Sequence, residues 1–257
     1  MFGSARRRAR RDLLANGFRP EWRELVSTRM RHWAFLDPDE RSRLEEITLG
    51  LMADKDWEAA QGFELTAEII VTIAAQAALL ALCLPDDAYR AVGSIIVHPT
   101  TFVVTGEHSQ VPGLVSDDPM PILGLASYGG PIIIVWDEAL AAARHPGHGH
   151  NVVFHEFAHK LDMLDGNIDG TPPLATREQF DRWVEVCTEV YRQVVEGTAG
   201  TSLEPYAGVN PAEFFAVATE VFFDDPEPLR SEHPDLYEVL VDYYRQDPAV
   251  RLARKFT

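Results

Sequence analysis

The segment Asn151-Val-Val-Phe-His-Glu-Phe-Ala-His-Lys-Leu-Asp162 constrains this chain more than any other. Val152, Val153, Phe154, Phe157, Ala158 and Leu161, continued by Leu164, make a helix apolar on most sides, the pattern of a core helix. Two histidines and a glutamate in such a helix need polar partners. On a helix, positions i and i+4 bring their β-carbons to roughly 5–6 Å on one face. His155 and His159 can therefore direct two imidazole nitrogens at one metal ion. Glu156 is turned by about 100° from His155. Its carboxylate then lies beside the ion, where a general base for metal-activated water belongs. The donor set selects zinc, and the chemistry suggested is hydrolysis, most often of a peptide bond.

A chain of 257 residues with 46% hydrophobic content can bury one substantial core, or two lobes around a cleft. The net charge of −17 opposes general binding to a phosphate backbone, so no direct nucleic-acid contact is expected. The exception is a basic run of Arg6, Arg7, Arg8, Arg10 and Arg11. It reads as a solvated tail over residues 1–19, or as a contact to an acidic surface, including this protein's own. Residues 13–20 are too short and broken to be the apolar core of an export signal. Cys83 and Cys187, both in apolar helical patterns, give no disulfide framework, which points to the cytoplasm. The apolar stretch from Ile69 to Leu84 falls short of the roughly 20 residues that span a bilayer. Gln76 lies inside it and Pro85-Asp86-Asp87 ends it, so a buried core helix is expected and no membrane partner.

Helices are predicted near 21–34, 38–54, 66–84, 137–144, 175–197, 211–223 and 233–245, besides the metal helix. The β-branched runs 94–98 and 101–105 predict strands, and Pro131-Ile-Ile-Ile-Val-Trp136 is the clearest strand. The stretch 106–131, with Gly, Pro and Asp-Asp, reads as loops with one short strand. The class is α+β: mainly helical, with a small mixed sheet and an active-site helix. From residue 20 onward it is expected to form a single domain, with a catalytic core about 94–245. The strand at 132–136 either offers an edge to an extended peptide or lies inside the sheet, buried on both faces. His145, His148 and His150 read as surface loop residues able to line a cleft or bind adventitious zinc.

A catalytic zinc usually has three protein ligands and one water. In H-E-x-x-H-x-x-G-x-x-H the glycine and third histidine would fall where this chain has Asp162 and Asp165, which excludes that class. Those two aspartates read instead as groups orienting the histidines or their helix. Glu178, Glu185 and Glu189 are expected to face solvent. Glu213 and Glu220 stand seven residues apart on one face of an apolar helix opened by Asn210-Pro211. Buried glutamates need a partner. On the residues alone, either could be the third ligand.

His155-Glu-Phe-Ala-His-Lys-Leu-Asp-Met-Leu-Asp-Gly166, Tyr206 and Asn210-Pro-Ala-Glu-Phe-Phe215 together resemble the Mlc titration factor A family of bacterial zinc peptidases. The segment 74–79 and the Gly130-Pro131 strand are similar to it as well, and the likeness covers most of the chain from about residue 20. Its metal centre is similar to that of the C-terminal protease domain of anthrax lethal factor. The resemblance implies a zincin-like metallopeptidase fold, one catalytic zinc, and Glu213 as third ligand beside His155 and His159. It also implies Tyr206 facing the metal, where on the residues alone a surface loop tyrosine is the plainer reading. Glu220 then becomes a supporting carboxylate. The substrate implied is a peptide or flexible protein segment. The family's name adds a second function from another class, sequestration of a sugar-responsive transcription repressor with the zinc fold as scaffold.

Overall fold

A computed structural model describes residues 2–104, 108–111, 114–116, 120–122, 124–126, 130–147 and 150–253. Its N-terminal part is helical: α1 (Phe2–Asn16), α2 (Pro20–Arg29), a 3₁₀ turn (Arg31–Phe35) and α3 (Pro38–Asp54). The basic run thus stands on a helix where an irregular tail was expected. Arg10 pairs with Asp54 at the end of α3, a contact to the protein's own acidic surface. Asp37 opens α3 by accepting from Glu40 N, while the Glu40 carboxylate receives Asp37 N. This reciprocal cap and Pro38 in the first turn explain why that helix begins where the sequence placed it.

After β1 (Asp56–Ala59) comes α4 (Ala67–Leu80), shorter than expected. Ala81 N and Leu82 N bond three residues back, to Ala78 O and Leu79 O, so the last turn tightens and Cys83 is exposed rather than helical. Gln76 is anchored inside the core by its Nε2, which donates to Thr72 O and to Ala139 O. The strands that follow are β2 (Ser94–His98), β3 (Phe102–Val104), β4 (His108–Val111), β5 (Leu114–Ser116), β6 (Met120–Ile122), β7 (Gly124–Ala126) and β8 (Ile132–Val135). Four short strands therefore occupy the stretch expected to hold one. Each spans only three or four residues, too few for a period-2 pattern to stand out between turn residues.

The main sheet runs β1-β2-β8-β7. The first three strands are parallel, with Ile95 opposite Ile132 and Val97 opposite Ile134, and β7 joins β8 antiparallel. Ile95, Val97, Ile132 and Ile134 are fully buried. Of the two readings of the 132–136 strand, the interior one holds: β8 is paired on both sides, and β7 is the edge. Trp136 begins α5 (Trp136–Arg144) rather than ending the strand.

The remaining helices are α6 (Val152–Asp162), α7 (Arg177–Val195), α8 (Pro211–Asp224), α9 (Pro226–Glu232), α10 (Pro234–Tyr244) and α11 (Pro248–Ala253). On α7, Trp183, Val190 and Val194 are buried, whereas Phe180 and Val184 of the expected apolar set are exposed. A continuous cluster of buried apolar side chains extends from Trp22 to Ala249, and α6 lies within it. α6 packs against α4, α8, β7 and β8. No helix among the described residues is long and apolar enough to cross a membrane.

Candidate metal centre

Two capped helices bring the polar residues together. Asn151 caps α6 by accepting from Phe154 N at 3.1 Å, and Asn210 caps α8 by accepting from Glu213 N at 3.0 Å. All of α6 is buried except His155, which is partly so. His155 Nε2 lies 3.1 Å from His159 Nε2 and 3.0 Å from Glu213 Oε2. His159 Nε2 is 3.5 Å from the same oxygen. One ligand atom from each of the three residues lies within 4.8 Å of the others.

The arrangement fits a divalent metal. The His155 Nδ1–H donates to Glu220 Oε1 at 2.7 Å, which leaves the Nε2 lone pair directed at His159 and Glu213. Glu213 Oε2 and Glu156 Oε2 are buried without a hydrogen-bond partner among the described residues. Three convergent electron-pair donors with an orphaned carboxylate oxygen are stabilised by a cation at their centre.

The electrostatics separate the two acids. Burial acts to raise the Glu213 carboxyl, but the imidazoles of His155 and His159 outweigh it and hold the group below the usual carboxylate range. Burial pushes the Glu156 carboxyl up to about 8, against the pull of His155. Tyr206 stands on a 3₁₀ turn (Pro205–Gly208), with its ring 6.2 Å from that of His155. Burial, then the charge of Glu213, raises its phenol. The loop before it is held by Glu232, whose Oε2 accepts Thr201 N and Ser202 N at 2.9 and 2.8 Å.

Glu220 lies behind His155 rather than with the three convergent donors. Glu178, Glu185 and Glu189 are exposed. Asp162 and Asp165 do not reach the histidines. Asp162 Oδ2 accepts Gly170 N at 3.0 Å, and Asp165 Oδ1 accepts Asn167 N at 2.9 Å. Both side chains organise the loop after α6 because they lie beyond the turn that carries His155 and His159. His150 is exposed and lies 3.3 Å from Glu204, His145 is also exposed, and His148 falls outside the described residues.

Gly170 carried no signal in the sequence, yet it joins three parts of the site. Its N–H reaches Asp162, its carbonyl accepts from Trp183 Nε1 at 3.1 Å, and a β-carbon there would fall 2.1 Å from Pro211 O at the start of α8. Its φ is +75°. Gly170→Ala is therefore expected to cost at least about 3 kcal/mol, through left-handed strain plus a backbone collision that displaces α8. Urea unfolding checks this, and a loss below about 1 kcal/mol would show that the loop gives way easily.

The family of glucose-regulated metallo-peptidases M90 matches residues 4–245. The chain belongs to this family. An uncharacterized protein of Synechocystis sp. is 35% identical over 236 residues, covering 90% of this chain and 86% of its own. Mlc titration factor A of Serratia proteamaculans is 32% identical over 224 residues, 85% of each chain. Mlc titration factor A of Yersinia pestis is 30% identical over 239 residues, 91% of this chain and 87% of its own. As an M90 metallopeptidase, the protein carries the convergent His-His-Glu cluster as its candidate metal site.

Proposed function

We propose that this M90 metallopeptidase holds one zinc ion through His155, His159 and Glu213 and hydrolyses peptide bonds, with Glu156 as general base. The observation that carries the reading is the convergence of His155 Nε2, His159 Nε2 and Glu213 Oε2 beside Glu156, whose buried Oε2 has no hydrogen-bond partner among the described residues. Zinc, when bound, polarises water and the scissile carbonyl. Glu156 takes the proton of the attacking water and passes it to the leaving amine. Glu220 keeps the His155 proton on Nδ1. The Tyr206 hydroxyl donates a hydrogen bond to the carbonyl oxygen as negative charge gathers there.

The sheet edge nearest α6 is β7 rather than β8. An extended peptide added to that edge would be held by backbone hydrogen bonds, which gives modest sequence preference and suits flexible segments.

Zinc analysis and cleavage of a fluorogenic peptide library test the reading together. One zinc per chain, cleavage lost to a chelator and restored by zinc are expected. A protein that takes up no zinc on reconstitution overturns the metal assignment. Tyr206→Phe is expected to lower kcat by about 10²–10³-fold with zinc content intact. A kcat equal to wild type would remove Tyr206 from the mechanism.

The name of the Mlc titration factor relatives supports a second function, capture of an Mlc-type repressor. Glu156 and Tyr206 favour hydrolysis, because capture has no chemical need of either. The two unpaired cysteines suit a reducing cytoplasm.

A further inference from the structure

Helix α8 presents Glu213, Glu220 and Asp224 at intervals of seven and four residues, and the last two both meet Asn151. Asn151 is fully buried and makes four hydrogen bonds. Its Oδ1 accepts Phe154 N, its carbonyl accepts His155 N at 2.9 Å, its N–H donates to Glu220 Oε2 at 2.5 Å, and its Nδ2 donates to Asp224 Oδ2 at 3.2 Å. Glu220 is thereby held between Asn151 N and His155 Nδ1. Asp224 Oδ1 lies 2.9 Å from His32 Nε2, which is itself hydrogen-bonded to Phe223 O at 3.3 Å and whose ring packs edge-on against Phe154 at 5.5 Å.

We infer that Asn151 and Asp224 are positioning residues for the metal centre, fixing Glu220 and through it the orientation of the His155 ring. This rests on the zinc reading given above. A helix cap alone does not explain the residue at 151, since asparagine and aspartate cap about equally well. What separates them here is the second side-chain atom. In asparagine it is an N–H donor facing Asp224, whereas in aspartate it would be a third carboxylate oxygen set among Glu220 and Asp224 in a buried space, where like charges repel strongly. Nor does Asp224 serve as a surface charge, because it is buried between His32 and Asn151. The chain runs from the N-terminal 3₁₀ turn through Asp224, Asn151 and Glu220 to His155. It makes the N-terminal helical part an outer wall of the metal centre.

The test compares Asn151→Asp with the exchanged pair Asn151→Asp/Asp224→Asn, in which the cap remains and the bond re-forms with its polarity reversed. Zinc affinity by chelator competition, the visible spectrum of the cobalt(II) form and the melting temperature of the metal-free protein are the readouts. Asn151→Asp is expected to bind zinc about 10–100-fold more weakly and to shift the cobalt bands, with the exchanged pair recovering most of both. Asn151→Ser retains a cap oxygen but cannot reach Asp224, and it serves the same comparison if Asn151→Asp alone does not fold. Wild-type zinc affinity in the single variants, or an exchanged pair that folds without regaining affinity, overturns the inference. A wild-type protein without zinc overturns the metal reading itself, a result these variants cannot mimic.

Discussion

Glu156→Gln is expected to retain one zinc per chain and to lower peptide hydrolysis by about 10²–10⁴-fold. Glutamine matches glutamate in size, so α6 and its packing are preserved, and Glu156 is not one of the three convergent donors. What disappears is the capacity to take a proton. Glu156 is 4% exposed, and its Oε2 has no hydrogen-bond partner among the described residues, so no protein donor competes with water for it. Burial, which pushes this carboxyl up to about 8, makes it a better proton acceptor than an exposed glutamate. His155 and, more weakly, Lys160, whose ammonium donates to Gly130 O at 2.9 Å, pull the other way. Zinc analysis alongside steady-state turnover separates the outcomes. Turnover at the wild-type rate in a zinc-loaded Gln variant would exclude Glu156 as the base.

Periodicity reaches some of this architecture and not the rest. The apolar girdle of 152–164 places α6 in the core, and the i, i+4 rule brings His155 and His159 together, because both are local consequences of helix geometry. α3 and β2 coincide with their predicted spans because each carries its own signal, a capping box in one and a β-branched run in the other. α1, β1, α9 and α11 went unread. The first is a polar, arginine-rich helix without an apolar stripe, and the others are too short for a period to emerge. The third convergent donor shows the deeper limit. Glu213 and Glu220 share a helix face, and their separation says nothing about which meets Nε2 and which meets Nδ1 of His155. That depends on how α8 is docked on α6. Asn151, Asp224, Gly170 and His32 were beyond reach for the same reason: each has a contact with a residue far along the chain, Gly170 with Pro211, Asn151 with Asp224, and His32 with Asp224. The resemblance to Mlc titration factor A supplied Glu213 without that geometry, and it was silent on what holds Glu220.

Glu213→Ala is expected to abolish tight zinc binding, and Glu220→Ala to weaken it by about 10–100-fold without abolishing it. The difference follows from which imidazole atom each carboxylate meets. Glu213 Oε2 faces His155 Nε2 and His159 Nε2 together, at 3.0 and 3.5 Å, so its removal leaves two neutral donors where there were two donors and a charge. Glu220 meets the far side of the His155 ring and the backbone of Asn151, with His150 Nδ1 4.0 Å away, and it does not face His159. Without it the ring can rotate and exchange tautomers, but both Nε2 atoms and Glu213 remain. Stability should respond in the opposite order in the metal-free protein. Alanine at 213 removes a carboxylate whose burial offsets part of its attraction to the two imidazoles, whereas alanine at 220 strands Asn151 N and His155 Nδ1 in the core. Titration with a chromophoric chelator and thermal melts of the metal-free variants resolve the two axes. Equal zinc affinities in the two variants, or a metal-free Glu213→Ala less stable than Glu220→Ala, would contradict this division of roles.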